Sequence, residues 1–404
     1  MEWLKEDALS EINALKLKRL STGKEVIDLS MINPDLAPAR SLLDRLAELS
    51  IKPGNHRYAV SRGVRRLREA FTLKYSSAFK TELSPDRQVC VTMGTKDALP
   101  NALSCLRGLG YGNTVLLGSP FYPGHSSAAR LAGFTPNFFE IHEDPQGTLA
   151  SIRSALSSHP GSVVLTNFPN NPLGTTVTKE FWSALVELAR SYRSFVLNDF
   201  VYGEMCFSSG KAASLLAAAQ NDDPCAETYS LSKAYNVPGW RVGALLGHSG
   251  LVELLAHLKS HLDYGIFLPL QLASAAALAA PAEVVGATLG AYQARAKTAA
   301  DCLTRAGFKV RQSEAGACVW AQLPERVRPH DQRASFALAR NILAETGVAV
   351  SPGALFGEPW CGYLRLALVA PPERLRDCIT RIQTFLENKE EGRIGALTSV
   401  QEAL

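Results

Sequence analysis

The chain has 404 residues, of which 46% are apolar and 20% charged, a composition typical of a soluble globular protein. Its length allows two or three packed units rather than one core. The net charge of +4 is spread thinly and does not indicate a nucleic-acid partner, and no apolar segment is long enough to predict a membrane span.

The cysteines and the first residues of the chain indicate the cellular compartment in which we expect the protein. The eight cysteines are dispersed, with no C-x-x-C pair and no metal-ligand spacing, so we expect free thiols, no metal and a cytoplasmic protein. Residues 1–20 are charged throughout and carry Leu and Ile at helical spacing, which predicts an amphipathic helix rather than a secretory signal. The most apolar segment, 266–280, is interrupted by Pro269 and predicts a buried core helix.

The first part of the chain alternates between short apolar strands and helices. Residues 26–49 predict a strand, a loop of Asn, Pro and Asp that contains Ile32, and then a helix. Residues 56–71 predict a loop with Tyr58, a turn at Gly63 and a helix. Taken alone, Tyr58 is as readily a packed loop aromatic as a functional residue.

A strand, a tight turn and a helix are predicted within residues 87–106. The apolar strand ends at Gly94, and Thr95 and Lys96 open the helix, with Asp97 in its first turn. Backbone N–H groups at a helix start bind phosphate readily, although many α/β proteins contain several such turns.

Three further strands are each followed by a polar loop. In 113–133 the loop PFYPGH carries Tyr122 and His125, and we interpret the histidine as a solvated or capping side chain. In 161–182 the loop FPNNPLG carries Asn171 between two prolines. The strand within SFVLNDFVYGEM ends in Asp199 and Tyr202. A carboxylate at the end of a strand usually caps a neighbouring group.

The stretch 227–243, ETYSLSKAYNVPGWRVG, carries the chemistry around which the other motifs are organised. Lys233 stands between hydroxylated residues and a Pro-Gly turn, where burial or a neighbouring cation can activate a lysine amine to form an imine. Arg241 suits a bidentate grip on phosphate, and Ser230 and Ser232 add hydroxyl donors for the same anion. An isolated S-x-S-K is more often an ordinary turn with surface charges.

S-x-S-K followed by G-x-R-x-G, with the other segments in this order, resembles the class I and II pyridoxal-phosphate-dependent aminotransferases over residues 20–388. DYGIF-x-P-x-Q (263–271) is similar to the branch of alanine-forming glutamate–pyruvate and LL-diaminopimelate aminotransferases. The resemblance implies fold type I, an α/β fold with a mainly parallel seven-stranded sheet between helices and a small α+β domain from both termini. We expect an N-terminal segment 1–45, a large domain 46–288 and a small domain 289–404.

The resemblance implies pyridoxal 5'-phosphate as the cofactor. Lys233 would hold it as a Schiff base and act in catalysis. Asp199 would pair with the pyridine nitrogen, while Tyr202 and Asn171 would bond the phenolic oxygen. Tyr122 would stack on the ring. The phosphate would be held by Gly94, Thr95, Lys96, Ser230, Ser232, Arg241 and, across a dimer, Tyr58.

Substrate-binding residues follow from the same resemblance. Arg365, in YLRLAL, would bind the substrate α-carboxylate, although an arginine in a strand can equally form a structural ion pair. Tyr264 would line the substrate mouth of the partner subunit, and Asn171 would contribute to substrate binding as well. Ile32 stands where the family commonly has Gly, which is expected to shift the substrate loop or narrow its pocket. The sequence has no arginine between Arg241 and Arg295, which argues against an animal-type aspartate enzyme.

The implied function is transfer of an amino group between an L-amino acid of the glutamate or alanine type and a 2-oxo acid, by a ping-pong mechanism in a homodimer with shared active sites. Diaminopimelate, aspartate and aromatic substrates remain open, as does a lyase or decarboxylase on the same fold. A non-catalytic cofactor-binding regulator is less expected, because such regulators carry a DNA-binding module and only about twenty residues precede the domain.

Overall fold

The computed structural model of the protein describes residues 10–220, 222–280 and 282–390. The helices are α1 (Ser10–Ser21), α2 (Arg40–Ser50), α3 (Arg65–Lys74), α4 (Thr95–Gly108), α5 (Pro123–Leu131), α6 (Pro145–Ser158), α7 (Lys179–Ser191), α8 (Ser249–Leu262), α9 (Leu268–Leu278), α10 (Ala282–Arg305), α11 (Gln332–Thr346) and α12 (Pro372–Glu390). The strands are β1 (Ile27–Asp28), β2 (Val89–Thr92), β3 (Thr114–Ser119), β4 (Thr135–Glu140), β5 (Val163–Thr166), β6 (Phe195–Asp199), β7 (Cys225–Ser230), β8 (Gly243–Gly247), β9 (Lys309–Val310), β10 (Cys318–Gln322), β11 (Val348–Ala349), β12 (Ser351–Pro352) and β13 (Tyr363–Ala367).

The chain divides into two compact units. The large unit comprises Pro34–Ala291 with Glu314–Gly316, and the small unit comprises the described residues of Met1–Asn33, Tyr292–Ser313 and Ala317–Leu404. The domain boundaries expected from the sequence lie at 45/46 and 288/289, and they stay predictions.

The large unit is built on a seven-stranded sheet with the order β2-β8-β7-β6-β5-β3-β4. The strands β3 to β7 pair in parallel, whereas β8 runs antiparallel to both of its neighbours, β2 and β7. This is the mainly parallel sheet that the resemblance implied, with one reversed strand inserted near an edge.

Both faces of this sheet are covered. Every residue of β5, β6 and β7 is buried, so side chains that alternate between the two faces all lack solvent contact. Apolar residues of these strands form one core cluster with side chains from α4, α5 and α8, such as Leu103, Ala129 and Leu255. Burial on both faces explains why β5 and β6 are largely apolar runs in the sequence.

The small unit combines an antiparallel sheet with helices and draws on both ends of the described chain. Its four-stranded sheet has the order β12-β13-β10-β9, and β1 pairs in parallel with β11. Helix α11 begins where the Asp331 side chain accepts a hydrogen bond from the Ala334 N–H at 2.7 Å, and it ends at Gly347, whose φ is +75°. The predicted fold class, with a large α/β unit and a small α+β unit, is confirmed.

Local predictions are refined at three places. The amphipathic N-terminal helix is α1, and the part expected before residue 10 lies outside the described residues. The predicted buried helix is α9, but Pro269 sits in its first turn and does not break it, because the first-turn N–H needs no helical partner. The sequence of residues 390–404 predicts a loose tail, and these residues lie, apart from Glu390, outside the described part of the chain. None of the helices within the described ranges has the length and apolarity to cross a membrane.

Candidate active site

The predicted cofactor residues of the large unit follow strands that end at one edge of the sheet. β2 ends at Thr92, β5 at Thr166, β6 at Asp199 and β7 at Ser230, and these strands run in the same direction. In open α/β sheets this carboxyl edge is where ligands bind. The segments that follow these strands and β3 carry Gly94, Thr95, Lys96, Tyr122, Asn171, Tyr202, Ser232 and Lys233.

Gly94 and Arg241 lie against each other at this edge. A Cβ atom placed on Gly94 would lie 2.7 Å from Arg241 Nη2, and Gly94 has a φ of +77°. The Arg241 guanidinium donates from Nη1 to the Pro238 carbonyl at 3.0 Å and from Nη2 to the Met93 carbonyl at 3.3 Å. These bonds hold an exposed guanidinium beside the start of α4, where Thr95 is half-buried and Lys96 exposed.

Strand pairing brings the serines of the lysine motif to the same place. Gly243 pairs with Ser230 on β7 and with Thr92 on β2, and a Cβ on Gly243 would lie 2.6 Å from the Tyr229 carbonyl oxygen. Only glycine allows the three strands to approach this closely. The Ser230 hydroxyl donates to Ser232 Oγ at 2.9 Å and accepts from the Ser232 N–H at 3.1 Å.

Lys233 follows this serine pair directly. It is half-buried, and its backbone carbonyl accepts a hydrogen bond from the Asn236 N–H at 3.4 Å. The serines, Arg241 and Gly94 together present hydroxyl, guanidinium and backbone N–H donors at this edge of the sheet. These are the donors of an anion site.

Asp199 is a buried carboxylate with a partner on each oxygen. The Thr228 hydroxyl donates to Oδ1 at 3.1 Å, and His125 Nε2 lies 3.0 Å from Oδ2. The Asn167 amide also donates to the Asp199 carbonyl at 2.7 Å. Because both carboxylate oxygens are engaged, the side chain is fixed in one orientation at the end of β6.

The sequence-based interpretation of His125 as a solvated or capping side chain is wrong. The ring is 2% exposed and packs edge-on to Tyr122, with ring centroids 5.3 Å apart. The available signal was the position of Pro123, which opens α5 and places His125 in its first turn, next to Tyr122 at the N-cap. To predict that Asp199 is the partner of His125, one would have to know that the end of β6 lies opposite the start of α5.

Tyr122, Asn171 and Tyr202 are connected to Asp199 through one intermediate residue or a short stretch of chain. Tyr122 is half-buried, and a Cβ on Gly124 would lie 2.4 Å from its ring. The buried Asn171 donates its N–H to Asn167 Oδ1 at 2.9 Å, and Asn167 in turn contacts Asp199. Tyr202 is buried three residues beyond Asp199. The structure therefore groups these predicted residues around Asp199.

Tyr58 and Tyr264 form a separate, exposed pair in the large unit. Their ring centroids are 4.8 Å apart, and the residues are 87% and 64% exposed. Val60 and Phe267 are also exposed nearby in the sequence. Such an exposed aromatic patch is typical of a protein–protein contact surface.

In the small unit, Arg365 is buried on β13 among neutral oxygen acceptors. Its Nη2 donates to the Ser30 carbonyl at 2.6 Å and to Ser351 Oγ at 3.0 Å, and its guanidinium lies 5.0 Å from the Phe356 ring centroid. Ile32, two residues after Ser30, is buried. The predicted substrate loop and the predicted carboxylate-binding arginine are thus brought together within this unit.

Comparison with known proteins identifies the family to which this fold and these residues belong. The sequence model of the family "Aminotransferase class I and II" matches residues 24–382. The chain belongs to this family, and it is a transaminase.

Individual relatives agree on the reaction and differ in substrate. The glutamate-pyruvate aminotransferase AlaC of Escherichia coli is 34% identical over 372 residues, covering 92% of this chain and 89% of that protein. An LL-diaminopimelate aminotransferase of Natranaerobius thermophilus is 32% identical over 375 residues, covering 92% and 95%. The crystal structure of an aspartate aminotransferase from Thermotoga maritima superposes with a TM-score of 0.84 at 26% identity, covering 94% and 97%.

Proposed function

We propose that the protein is a pyridoxal-phosphate-dependent aminotransferase that moves an amino group between an L-amino acid of the glutamate or alanine type and a 2-oxo acid. The observation that carries this proposal is the grouping at one sheet edge of a lysine, a fixed buried carboxylate and an arginine-flanked helix start. Pyridoxal 5'-phosphate needs these three kinds of group: a lysine for its aldehyde, a carboxylate for its ring nitrogen and an anion site for its phosphate.

The described residues fit this cofactor chemically. Gly94 and Gly243 leave no room for a Cβ, so the backbone can approach a phosphate held by Arg241, Ser230 and Ser232. We propose that Thr95 and Lys96 complete this phosphate site. The buried carboxylate of Asp199 suits a protonated ring nitrogen, because an opposite charge favours the charged form of its partner.

Around the ring we propose three further contacts. Tyr122 would stack on one face, since offset stacking suits two aromatic rings. Asn171 and Tyr202 would donate hydrogen bonds to the phenolic oxygen, and both are buried near Asp199. When bound, the cofactor supplies an electron sink for the substrate α-carbon.

Each protein group then has a defined task. Asp199 would keep the ring nitrogen of the cofactor protonated, and His125 and Thr228 hold the two carboxylate oxygens of Asp199 in place. The Lys233 amine would remove the proton from the substrate α-carbon and return it to a carbon of the cofactor. Arg365 binds the α-carboxylate of both substrates in turn, so the enzyme takes the amino group from the first and passes it to the second.

For the substrates, we propose glutamate and alanine with pyruvate and 2-oxoglutarate. The support is the DYGIF segment (263–267) together with the similarity to the glutamate-pyruvate enzyme. Diaminopimelate is the second candidate, since an LL-diaminopimelate aminotransferase is almost equally similar. We propose that Ile32 contributes to the choice, because this buried branched side chain replaces the glycine common in the family and lies two residues after Ser30, whose carbonyl accepts from Arg365.

We further propose a cytoplasmic homodimer with shared active sites. Tyr58 would reach the cofactor phosphate of the partner subunit, and Tyr264 would line its substrate entrance. The exposure of this aromatic pair in the single chain supports a surface that is covered on assembly. All eight cysteines lie within the described residues as free thiols, in keeping with a reducing compartment.

An absorbance titration tests the proposal. The purified protein should absorb in the visible, and glutamate or alanine should convert this band to an ultraviolet band that pyruvate reverses. Ammonia and pyruvate released from a cysteine conjugate would indicate a lyase instead. A visible band that no amino acid changes would indicate a binding role. A colourless protein with Lys233 unmodified after borohydride treatment would disprove the assignment of Lys233.

A further inference from the structure

A fully buried lysine in the large unit lies outside the residues assigned above. Lys259, on the last turn of α8, is 0% exposed. Its Nζ lies 2.7 Å from Asp263 Oδ2 and 3.7 Å from Asp97 Oδ2. A buried ammonium is costly unless it is paired, so two carboxylates at this distance explain why it is tolerated. They do not explain why a cation is placed there at all.

One of the two carboxylates belongs to the turn proposed to bind the cofactor phosphate. Asp97 Oδ2 accepts the Met93 N–H at 2.9 Å, and Asp97 Oδ1 accepts from Asn101 Nδ2 at 2.8 Å. The carbonyl of the same Met93 accepts from Arg241 Nη2. Asp97 therefore fixes the backbone between the end of β2 and the start of α4, immediately behind Gly94.

The other carboxylate belongs to the loop that carries Tyr264. Asp263 Oδ1 accepts the Gly265 N–H at 2.7 Å. Gly265 has a φ of +84°, and a Cβ there would lie 2.5 Å from the Val60 carbonyl oxygen. This close approach seats the loop on the segment that follows Tyr58. Lys259 thus joins the phosphate turn to the exposed aromatic pair.

The arrangement also has an electrostatic consequence. The cofactor phosphate carries close to two negative charges at neutral pH. A carboxylate in the first turn of the helix that binds it would repel it, since like charges are destabilising at short range. Lys259 supplies the nearby positive charge that offsets Asp97 while Asp97 keeps its hydrogen bond to Met93.

We propose that Lys259 is a positioning residue for cofactor binding: held by Asp263, it partly offsets the negative charge of Asp97 beneath the phosphate turn and so sets the affinity of that turn for phosphate. The inference rests on the proposed function, because it assumes that residues 93–97 bind the cofactor phosphate. It implies that loss of the Lys259 charge weakens phosphate binding, whereas loss of the Asp97 charge strengthens it.

The test compares two ligands that differ only in the phosphate, pyridoxal 5'-phosphate and pyridoxal. Binding of each to the purified apoprotein is followed by visible absorbance, and the ratio of the two dissociation constants isolates the contribution of the phosphate. Lys259→Met should reduce the preference for the phosphorylated ligand roughly tenfold, as one uncompensated charge within several ångströms implies. Asp97→Asn should increase it severalfold, because the amide still accepts from Met93 and Asn101 can turn its own amide.

A purely structural role predicts something different. Loss of either partner would then lower the unfolding temperature and leave the ratio unchanged, or would move the ratio in the same direction. Arg190→Met is the matched control, since it removes a cation whose Nε and Nη2 lie 2.8 and 2.6 Å from Asp223, in the same unit. This variant should lose stability and keep the wild-type ratio.

The outcomes separate the two levels of inference. A wild-type apoprotein with no preference for the phosphorylated ligand would contradict the proposed function itself. A wild-type preference that both variants shift in one direction, or that neither shifts, overturns the role of Lys259. If Lys259→Met does not fold, Asp97→Asn decides alone, because an unchanged or reduced preference also overturns the proposal.

Discussion

The imidazole of His125 and the carboxylate of Asp199 form a buried pair, with 3.0 Å between Nε2 and Oδ2. His125 comes from the first turn of α5 and Asp199 from the end of β6, so the contact joins two elements 74 residues apart in the sequence. The pair leaves the carboxylate buried, oriented and accompanied by a group that can donate to it. That environment suits the proposed role of Asp199 opposite a cofactor nitrogen.

The first prediction concerns this carboxylate. In Asp199→Asn we expect kcat to fall by roughly 10²–10³, the usual cost of removing one preorganised electrostatic group from an active site. Amino-transfer rates are measured at saturating cofactor, with occupancy verified by absorbance. Thr228→Val removes only a neutral donor to the same side chain and should cost less than about tenfold. An Asn variant with nearly wild-type kcat would exclude Asp199 from the reaction.

The second prediction concerns substrate binding by the small unit. Arg365→Lys should raise KM for every amino acid and 2-oxo acid tested by roughly 10–100-fold, because a lysine cannot replace a planar bidentate donor. Steady-state kinetics at saturating cofactor measure the effect. Arg295→Lys is the matched control, a buried arginine of the same unit whose Nη1 donates to the Leu368 carbonyl at 2.9 Å. It should lower stability with KM unchanged, and equal KM changes in both variants would argue against the assigned role.

Much of this site could be predicted because its residues follow local patterns. Asp199 and Gly94 each stand at or just after the end of a short apolar strand, and such ends meet at one edge of a parallel sheet. His125 and Lys259 could not be predicted this way. Each belongs to a helix where a polar residue is ordinarily solvated, and each is buried only because a distant element packs over it.

The antiparallel insertion of β8 between β2 and β7 was also beyond the sequence. Gly243 shows why, since it pairs on one side with Ser230, which is close in the sequence, and on the other with Thr92, which is far away along the chain. Nothing in the local pattern of a short apolar strand states its direction or its neighbours. The start of α9 could not be predicted either. A proline within an apolar segment suggests a break in the helix, whereas Pro269 lies in the first turn of α9.

The third prediction tests whether active sites are shared between subunits. Tyr58→Phe removes the hydroxyl proposed to reach the partner's phosphate and should weaken cofactor binding in the homodimer. Lys233→Ala should abolish turnover. When the two variants are mixed and allowed to exchange subunits, one site of each hybrid combines an intact Lys233 with an intact Tyr58 from the other chain.

That hybrid should therefore recover part of the wild-type activity at limiting cofactor. Activity is assayed against mixing ratio, with the unmixed variants as references. Mixing Lys233→Ala with wild type tests whether hybrid formation by itself impairs the intact site, and native mass spectrometry of the mixtures verifies that subunits exchange. Verified exchange without recovery would indicate that each subunit builds its phosphate site alone.

The fourth prediction concerns Glu227, a fully buried carboxylic acid on β7. Its side chain accepts hydrogen bonds from the Tyr75 hydroxyl at 2.8 Å, the Ser214 hydroxyl at 2.6 Å and the Leu215 N–H at 3.1 Å. Burial nevertheless raises the pKa of Glu227 from 4.5 to about 7. The folded protein thus retains a proton that the unfolded chain has already released.

The free energy of unfolding should therefore decrease as pH rises from 4.5 to about 7. Above that range Glu227 should cause no further decrease. The linked change is at most about 3–4 kcal/mol, since each pKa unit corresponds to about 1.4 kcal/mol. Urea unfolding of wild type and Glu227→Gln between pH 5 and 8 isolates the effect, because Gln does not titrate while the two hydroxyls can reorient around its amide. The stability of wild type relative to this variant should fall with pH, and a difference that is constant or grows would show that Glu227 is ionised in the fold throughout.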